Sequence, residues 1–202
     1  IPQTNGALVG AGMAATIFET TSTTANTICV PDYGQHVHLA DFRVTGIGGT
    51  ATAGCGIATG SNAIGQSLIE RVLVDTVYNG ICLGPTDYSQ CVYCVAQSNY
   101  GSGFTLYGNY TPVAGVNTLT LQWGLISGLS QENEGWGVYF SGPVNGTGTA
   151  NIIEGTPWIG FSTFANQAGG ICFCAQSGSQ INDIALYDSV MSSNNGTNIA
   201  IQ

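Results

Sequence analysis

The sequence predicts an all-β protein, a parallel β-helix in which short strands stack turn upon turn along one axis. A ten-residue unit recurs along the chain, each copy ends in alternating apolar residues, and the 202 residues include 30 glycines. The abundance of turn-forming residues and the scarcity of helix-forming polar runs favour strands over helices. Repetition at a period of about 20 to 50 residues indicates one structural unit that stacks on copies of itself.

The clearest copy of the unit is residues 131–140, which read QENEGWGVYF. An earlier copy at residues 97–106 reads QSNYGSGFTL and keeps the Gln, the Asn and both glycines in register. A later copy at residues 164–173 reads FANQAGGICF. Weaker copies with a similar ending are residues 74–83, 192–201 and the end of 50–59.

Each unit is predicted to turn at a glycine or asparagine, because these two residues reach positive φ at the smallest energetic cost. These corner residues are Gly56, Gly80, Gly103, Gly137, Gly170 and Asn198. The residues that follow alternate, as Val138 and Phe140 do around Tyr139, which predicts a half-buried strand. A second set of strands is predicted at residues 42–45, 69–74, 92–96, 123–127, 159–164 and 184–190. Trp123 and Trp158 are expected to lie in strands and in the core.

The predicted corners lie 23 to 34 residues apart, and a turn of about 20 to 25 residues suits the shorter intervals. The chain is therefore expected to form one domain, residues 1–202, with about six to eight turns, and to be part of a longer chain or an assembly. The two longest intervals are expected to carry loops at residues 107–117 and 141–151, both at the same edge of the stack.

Charge excludes one class of partner. The sequence has two arginines, no lysine and 11 acidic residues, which gives a net charge of −9. Such a surface repels phosphate backbones, so nucleic acid is not an expected partner. Because no run of 18 or more apolar residues occurs, membrane insertion is not expected either. Neutral hydroxyl and amide side chains with scattered aromatics suit a sugar ligand, although many extracellular β-solenoids have the same composition.

Seven cysteines cannot all pair within the chain. Cys91 and Cys94 are three residues apart, so in an extended strand their side chains face opposite ways. Cys172 and Cys174 share a face but lie about 6.5 Å apart in an extended strand, which is awkward for a disulfide. The favoured interpretation is that the thiols are small, mostly buried apolar groups. Disulfides and interchain bonds are the alternative.

Both cations lie close to carboxylates in the sequence, Arg43 near Asp41 and Arg71 next to Glu70. Local ion pairs are the favoured interpretation, and an exposed pair of this kind contributes less than about 1 kcal/mol to stability. A catalytic or substrate-binding arginine is the alternative.

Four anchor units and the opening of the chain resemble a known family. They read NGICLGPTDYS at residues 79–89, NYGSGFTL at 99–106, NEGWGVYF at 133–140, NNGTNIAI at 194–201 and TNGALVGAGMAATIF at 4–18. They resemble the right-handed, single-stranded parallel β-helix of the pectate-lyase-like superfamily, and are most similar to the β-helical body of bacteriophage tailspike and tail-fibre proteins. The resemblance implies a homotrimeric virion tail appendage, or an extracellular protein, that recognises and often cleaves a host surface polysaccharide.

The sequence departs from the pectate lyases of that superfamily, which bind calcium through clustered aspartates. It contains no Asp-Asp or Asp-x-Asp cluster, and its two histidines lie far in sequence from most of its cysteines. Neither a calcium nor a zinc site is therefore expected. The sequence predicts no metal and no cofactor.

Glycoside hydrolysis needs two carboxyl groups, about 5 Å apart for retention or about 6.5 to 9.5 Å apart for inversion of configuration. Glu132 and Glu134 are the candidate catalytic pair, because they are close together in sequence and lie in the best-formed turn. The alternative is that both are ordinary solvated residues.

Candidate carbohydrate-binding residues are Tyr107, Tyr110, Trp136 and Tyr139. Aromatic faces stack on sugar rings while their polar tips donate hydrogen bonds. Packing of Trp136 against a neighbouring subunit is the alternative. The leading hypothesis is a virion spike or fibre that binds a host polysaccharide, either without cleaving it or with depolymerase activity. A secreted polysaccharide lyase or hydrolase and a structural shaft or filament subunit are the other two hypotheses.

Overall fold

The computed structural model describes residues 5–31, 34–47, 51–60, 64–107, 119–141, 151–153, 157–174, 180–181 and 184–201. These residues form strands and turns, with no helix among them. The strands pair in parallel and stack as a β-solenoid of about five turns. The predicted all-β parallel solenoid is confirmed. The count of about five turns is slightly lower than the predicted six to eight.

Twenty-two strands are described. The first eleven are β1 (Ala7–Val9), β2 (Ile17–Thr20), β3 (Ile28–Cys29), β4 (His38–Gly46), β5 (Cys55–Ala58), β6 (Ile64–Gly65), β7 (Leu68–Asp75), β8 (Asn79–Leu83), β9 (Thr86–Val92), β10 (Val95–Gln97) and β11 (Phe104–Tyr107). The others are β12 (Leu119–Ile126), β13 (Leu129–Gln131), β14 (Trp136–Ser141), β15 (Asn151–Ile153), β16 (Pro157–Ile159), β17 (Ser162–Phe164), β18 (Gly169–Cys174), β19 (Gln180–Ile181), β20 (Ala185–Tyr187), β21 (Val190–Ser192) and β22 (Thr197–Ile201).

From β7 onward each turn contains three stacked segments. The first segments stack in the order β7, β9, β12, β16, β20, and the second in the order β7, β10, β13, β17, β21. The third segments form a seven-stranded sheet that includes β8, β11, β14, β18 and β22. Of the two predicted loops, residues 108–117 and 142–150 lie outside the described residues.

Two corners separate the segments, and both use left-handed backbone, in every described turn but one at a residue other than glycine. The first corner contains Arg71, Tyr93, Ser127, Gly160 and Asp188, with φ between 48° and 62°. The second corner contains Thr76, Ser98, Glu132, Ala165 and Ser193, with φ between 52° and 56°. A left-handed residue other than glycine costs about 1 to 2 kcal/mol. Hydrogen bonds between turns hold the corners, as from the Glu132 amide to the Phe164 carbonyl at 3.0 Å.

The predicted glycine corners were wrong in conformation but right in alignment. Gly80, Gly103 and Gly137 stack on one another in consecutive turns, yet none has positive φ. They are glycines because no room is left for a side chain. A Cβ on Gly137 would lie 2.6 Å from the Gly170 carbonyl oxygen, and one on Gly103 would overlap the Ser130 hydroxyl.

The core is a continuous apolar column inside the stack. Trp123 and Trp158 are fully buried, as predicted. Phe140 stacks on Trp158 with ring centroids 5.4 Å apart and on Phe173 at 4.9 Å. Stacking of equivalent positions from consecutive turns therefore buries large aromatics that a single turn could not cover.

An asparagine ladder follows the second corner. The Asn99 side-chain amide donates to the Asn133 Oδ1 at 2.8 Å, Asn133 donates to Asn166 at 2.8 Å, and Asn166 donates to Asn194 at 3.0 Å. Each Oδ1 also accepts the backbone amide of the preceding turn, as in Asn99 N to Asn133 Oδ1 at 3.1 Å. Asn99, Asn133 and Asn166 are buried. The ladder thus satisfies the polar groups that the corner would otherwise bury without partners.

Disulfides replace the expected free thiols. The bonded pairs are Cys55 with Cys82, Cys91 with Cys94, and Cys172 with Cys174; the seventh cysteine, Cys29, is free and exposed. The preference for free thiols was therefore wrong. Cys91 and Cys94 do not share an extended strand, because the first corner at Tyr93 turns the chain between them and leaves both side chains buried.

Candidate functional site

An open groove of about 430 Å³ lies where three consecutive turns pass from the second corner into the third segment. Half of the side chains in its lining are aromatic, and the others are two aliphatic hydroxyls, one amide and one carboxylate. They include Tyr78, Asn79, Tyr100, Thr105, Glu134, Trp136 and Tyr139. This surface combines aromatic faces with hydrogen-bonding groups.

The solenoid itself aligns the groove. In each turn the ladder asparagine faces inward, so the residue after it faces outward: Tyr100 follows Asn99 and Glu134 follows Asn133. Backbone bonds hold the corners in register, with the Glu134 amide donating to the Asn99 carbonyl at 2.9 Å. Tyr78, Tyr100 and Glu134 therefore succeed one another at the spacing of stacked strands, about 4.8 Å per turn.

Trp136 is held in the groove by contacts with two neighbouring turns. Its amide donates to the Ser102 hydroxyl at 3.2 Å. Its indole lies over Gly169 in the next turn, where a Cβ would come within 2.8 Å of the Trp136 Cε3 atom and would also crowd the neighbouring ring carbon. The ring is thus seated on a position that only glycine can occupy.

The structure brings together two of the four predicted sugar-binding residues. Trp136 and Tyr139 both line the groove. Tyr107 is not part of that lining; it ends β11, and its hydroxyl donates to the Thr59 carbonyl. Tyr110 lies outside the described residues.

Tyr78 belongs to the groove and was not singled out from the sequence. Its backbone carbonyl accepts the Gly101 amide at 2.6 Å, which places the two corners directly above one another. The weak copy of the repeat at residues 74–83 aligns Tyr78 with Gly101, one residue after Tyr100, so the repeat gave only an approximate signal for it.

The two predicted catalytic carboxylates have different surroundings. Glu134 lines the groove, whereas Glu132 occupies the second corner and accepts a hydrogen bond from the Ser98 hydroxyl at 3.4 Å. Asn133, between them, points into the core. Among the described residues, Glu134 is the only acidic residue that lines the groove. A two-carboxylate hydrolysis mechanism needs a second one.

Both arginines are engaged in ion pairs away from the groove. Arg43 binds the Asp75 carboxylate at 2.7 and 3.0 Å. Arg71 binds the Asp41 carboxylate at 2.7 and 2.8 Å and also contacts Glu70. The predicted local pair of Arg71 with Glu70 is confirmed. Arg43 instead pairs with a residue one turn away, because neighbours in a solenoid are separated by a whole turn of sequence.

These ion pairs shift the pKa values of their members. The hydrogen bond from Arg71 holds the pKa of Asp41 below its ordinary value. Glu70 has a lowered pKa because His38, at 2.9 Å, and then Arg71 bond to its carboxylate. The carboxylate partners raise the pKa values of both arginines.

A smaller polar pocket of about 300 Å³ is lined by Gln35, His36, Gly65 and Gln66. His36 Nε2 lies 3.0 Å from the Gln66 side-chain oxygen. In the part of the chain that the structure describes, no group of three histidine, cysteine or acidic residues is arranged to hold a metal ion. The same residues include no helix that is long and apolar enough to cross a membrane.

Comparison of the chain with protein-family models, curated proteins and solved structures finds no match. What the groove binds is therefore inferred from its own side chains.

Proposed function

We propose that this protein is a carbohydrate-binding β-solenoid of the tailspike or tail-fibre type, which recognises a host surface polysaccharide through the groove. The observation that carries the proposal is the clustering of Tyr78, Tyr100, Trp136 and Tyr139 in one open groove. Aromatic faces stack on the apolar faces of sugar rings, and a few polar groups then fix the orientation of the ligand. Three turns span about 10 Å from first to last, which suits a short stretch of glycan running along the solenoid axis.

The proposed location is a virion tail appendage or the extracellular space. Three disulfides in 202 residues support an oxidising environment. Neutral polar residues on the surface are compatible with either location.

The proposed assembly is a homotrimer. A stripe of apolar residues runs along the outward face of the second segments, where residues of consecutive turns stand opposite one another. It consists of Ile17, Leu73, Val95, Leu129 and Val190, interrupted by Arg43 and Ser162. Contact between subunits along this stripe would cover it. Sedimentation velocity should give the mass of three chains. A monomer at all concentrations would contradict the proposed trimer.

Binding without catalysis is the version that the groove favours. A secreted lyase or hydrolase remains the enzymatic alternative, and Glu134 is its one carboxylate in the groove among the described residues. Release of reducing or unsaturated sugar ends from a bound polysaccharide, abolished in Glu134→Gln, would favour the enzyme.

An array of bacterial surface polysaccharides tests the binding proposal directly. We expect the folded protein to bind at least one glycan, and Trp136→Ala or Tyr139→Ala to weaken that binding by about tenfold or more, as loss of a central aromatic anchor does. Tyr187→Ala is the matched control, because Tyr187 is exposed but lies outside the groove. Absence of binding to every glycan, or equal loss in the control, would overturn the proposal.

A further inference from the structure

We infer that the groove selects glycans that carry amino groups and discriminates against acidic glycans. This inference rests on the proposed function and names its substrate class. The charges that the groove contains, and those that the chain lacks, support it.

No cation is available to bind an acidic sugar. The sequence contains no lysine and only two arginines. Neither arginine lines the groove, and both guanidinium groups are occupied, Arg43 by Asp75 and Arg71 by Asp41 and Glu70. Uronate and sialate carboxylates are typically bound by arginine or lysine through charge-assisted hydrogen bonds. An acidic glycan would therefore leave its charge unpaired beside a protein of net charge −9.

The groove does contain one exposed carboxylate. Glu134 lies at the outer side of the corner, and no hydrogen bond or ion pair with another described residue engages its side chain. Its neighbour Glu132, by contrast, bonds to Ser98. A protonated amino group on a sugar would give Glu134 a charge-assisted partner, which is stronger than a hydrogen bond between neutral groups.

The aromatic residues add to the same preference. Trp136 is two residues from Glu134 and lines the same groove, with its ring seated on Gly169. An ammonium group over an aromatic face is attracted by the negative potential of the ring, most strongly for tryptophan. A neutral glycan can stack on the same rings and donate hydroxyl hydrogen bonds to the carboxylate, but it brings no positive charge to pair with it. The combination of aromatics with one carboxylate therefore distinguishes amino-bearing from neutral sugars.

The test uses three oligosaccharides of equal length, made of glucosamine, N-acetylglucosamine or galacturonic acid, added to the polysaccharide array. We expect glucosamine oligomers to bind about tenfold more tightly than the N-acetylated ones, and galacturonate oligomers to bind most weakly. The preference should shrink at high salt, since exposed charges are screened. Glu134→Gln should abolish the preference for glucosamine oligomers over N-acetylglucosamine oligomers.

Glu132→Gln is the matched control. Like Glu134, Glu132 is next to the ladder residue Asn133, so the substitution removes the same charge, but Glu132 lies outside the groove. We expect it to keep the preference for glucosamine. Equal or tighter binding of acidic glycans, or a preference that survives Glu134→Gln or is lost equally in Glu132→Gln, would overturn the inference and leave the proposed function standing. Failure to bind any glycan on the array would overturn the proposed function itself.

Discussion

The inner and outer sides of the second corner are built from neighbouring residues, but the fold constrains them very differently. On the inner side an asparagine occurs in four consecutive turns and bonds to its equivalents above and below. On the outer side the next residue changes every time, from Tyr100 to Glu134, Gln167 and Asn195. One residue of sequence separates a position that must repeat from one that is free to vary.

The difference follows from what each side must satisfy. An inward polar side chain has no water, so its hydrogen bonds have to come from the same group in adjacent turns, and an identical residue is the simplest solution. An outward side chain is hydrated and has no such requirement. In this solenoid the repeated residues therefore stabilise the fold. The residues that differ between turns, such as Trp136 and Glu134, line the groove.

Of the substitutions considered, one in the middle of the asparagine ladder should lower the free energy of unfolding most. Asn133→Ala removes the acceptor of the Asn99 side chain and amide and the donor to Asn166. Because each unpaired buried polar group costs about 1 to 3 kcal/mol, we expect a loss of about 4 kcal/mol in the free energy of unfolding, measured by denaturant titration.

Asn195→Ala is the control for that measurement, since Asn195 is an exposed asparagine on the outer side of the same corner. Its loss should stay within about 0.5 kcal/mol. Similar losses in the two variants would remove the distinction between inner and outer positions.

Substitution of a stacked glycine should cause the next largest loss in the free energy of unfolding. Gly103→Ala forces a methyl group against the Ser130 hydroxyl and within 2.7 Å of the Asn133 side-chain amide, and we expect a loss of about 3 kcal/mol from overpacking. At Gly124, also in a strand, a Cβ would meet nothing closer than 3.6 Å. Gly124→Ala should therefore be close to neutral by thermal or chemical unfolding. A larger loss at Gly124 than at Gly103 would show that close approach is not why the column is glycine.

Removal of an ion pair on the outer surface should cause the smallest loss in the free energy of unfolding. Glu70 and Asp41 have lowered pKa values in the folded protein because of their bonds to His38 and Arg71. Their stabilising contribution is therefore present above their ordinary pKa values of 4.5 and 3.8 and is lost as pH falls through the lower folded values. Unfolding measured between neutral and acidic pH should show Glu70→Gln with a flatter pH profile and a loss below about 1 kcal/mol at neutral pH. A steeper profile in the variant would contradict the assigned direction.

Self-comparison of the sequence was enough to predict the stacking and the alignment of equivalent residues. The alternation at Val138 and Phe140 predicted which side chains face inward, and both are buried. Gly103 and Gly137 were correctly placed in one column, although the reason given for them was positive φ. The left-handed positions were missed because residues such as Ser98 and Glu132 do not favour that conformation on their own; contacts between turns hold it.

By itself the sequence determined that this chain is a parallel solenoid, because repeats that bury one face and pair their backbones have few other ways to pack. The tertiary structure alone decided which residues meet across turns. Arg43 pairs with Asp75, 32 residues away, and Tyr78 joins Trp136 in one groove. Within a single turn, the tertiary structure also decided that Cys91 reaches Cys94 through the bend at Tyr93. The physical reason is that contacts in a solenoid run perpendicular to the chain, and their partners depend on the exact length of every turn between them.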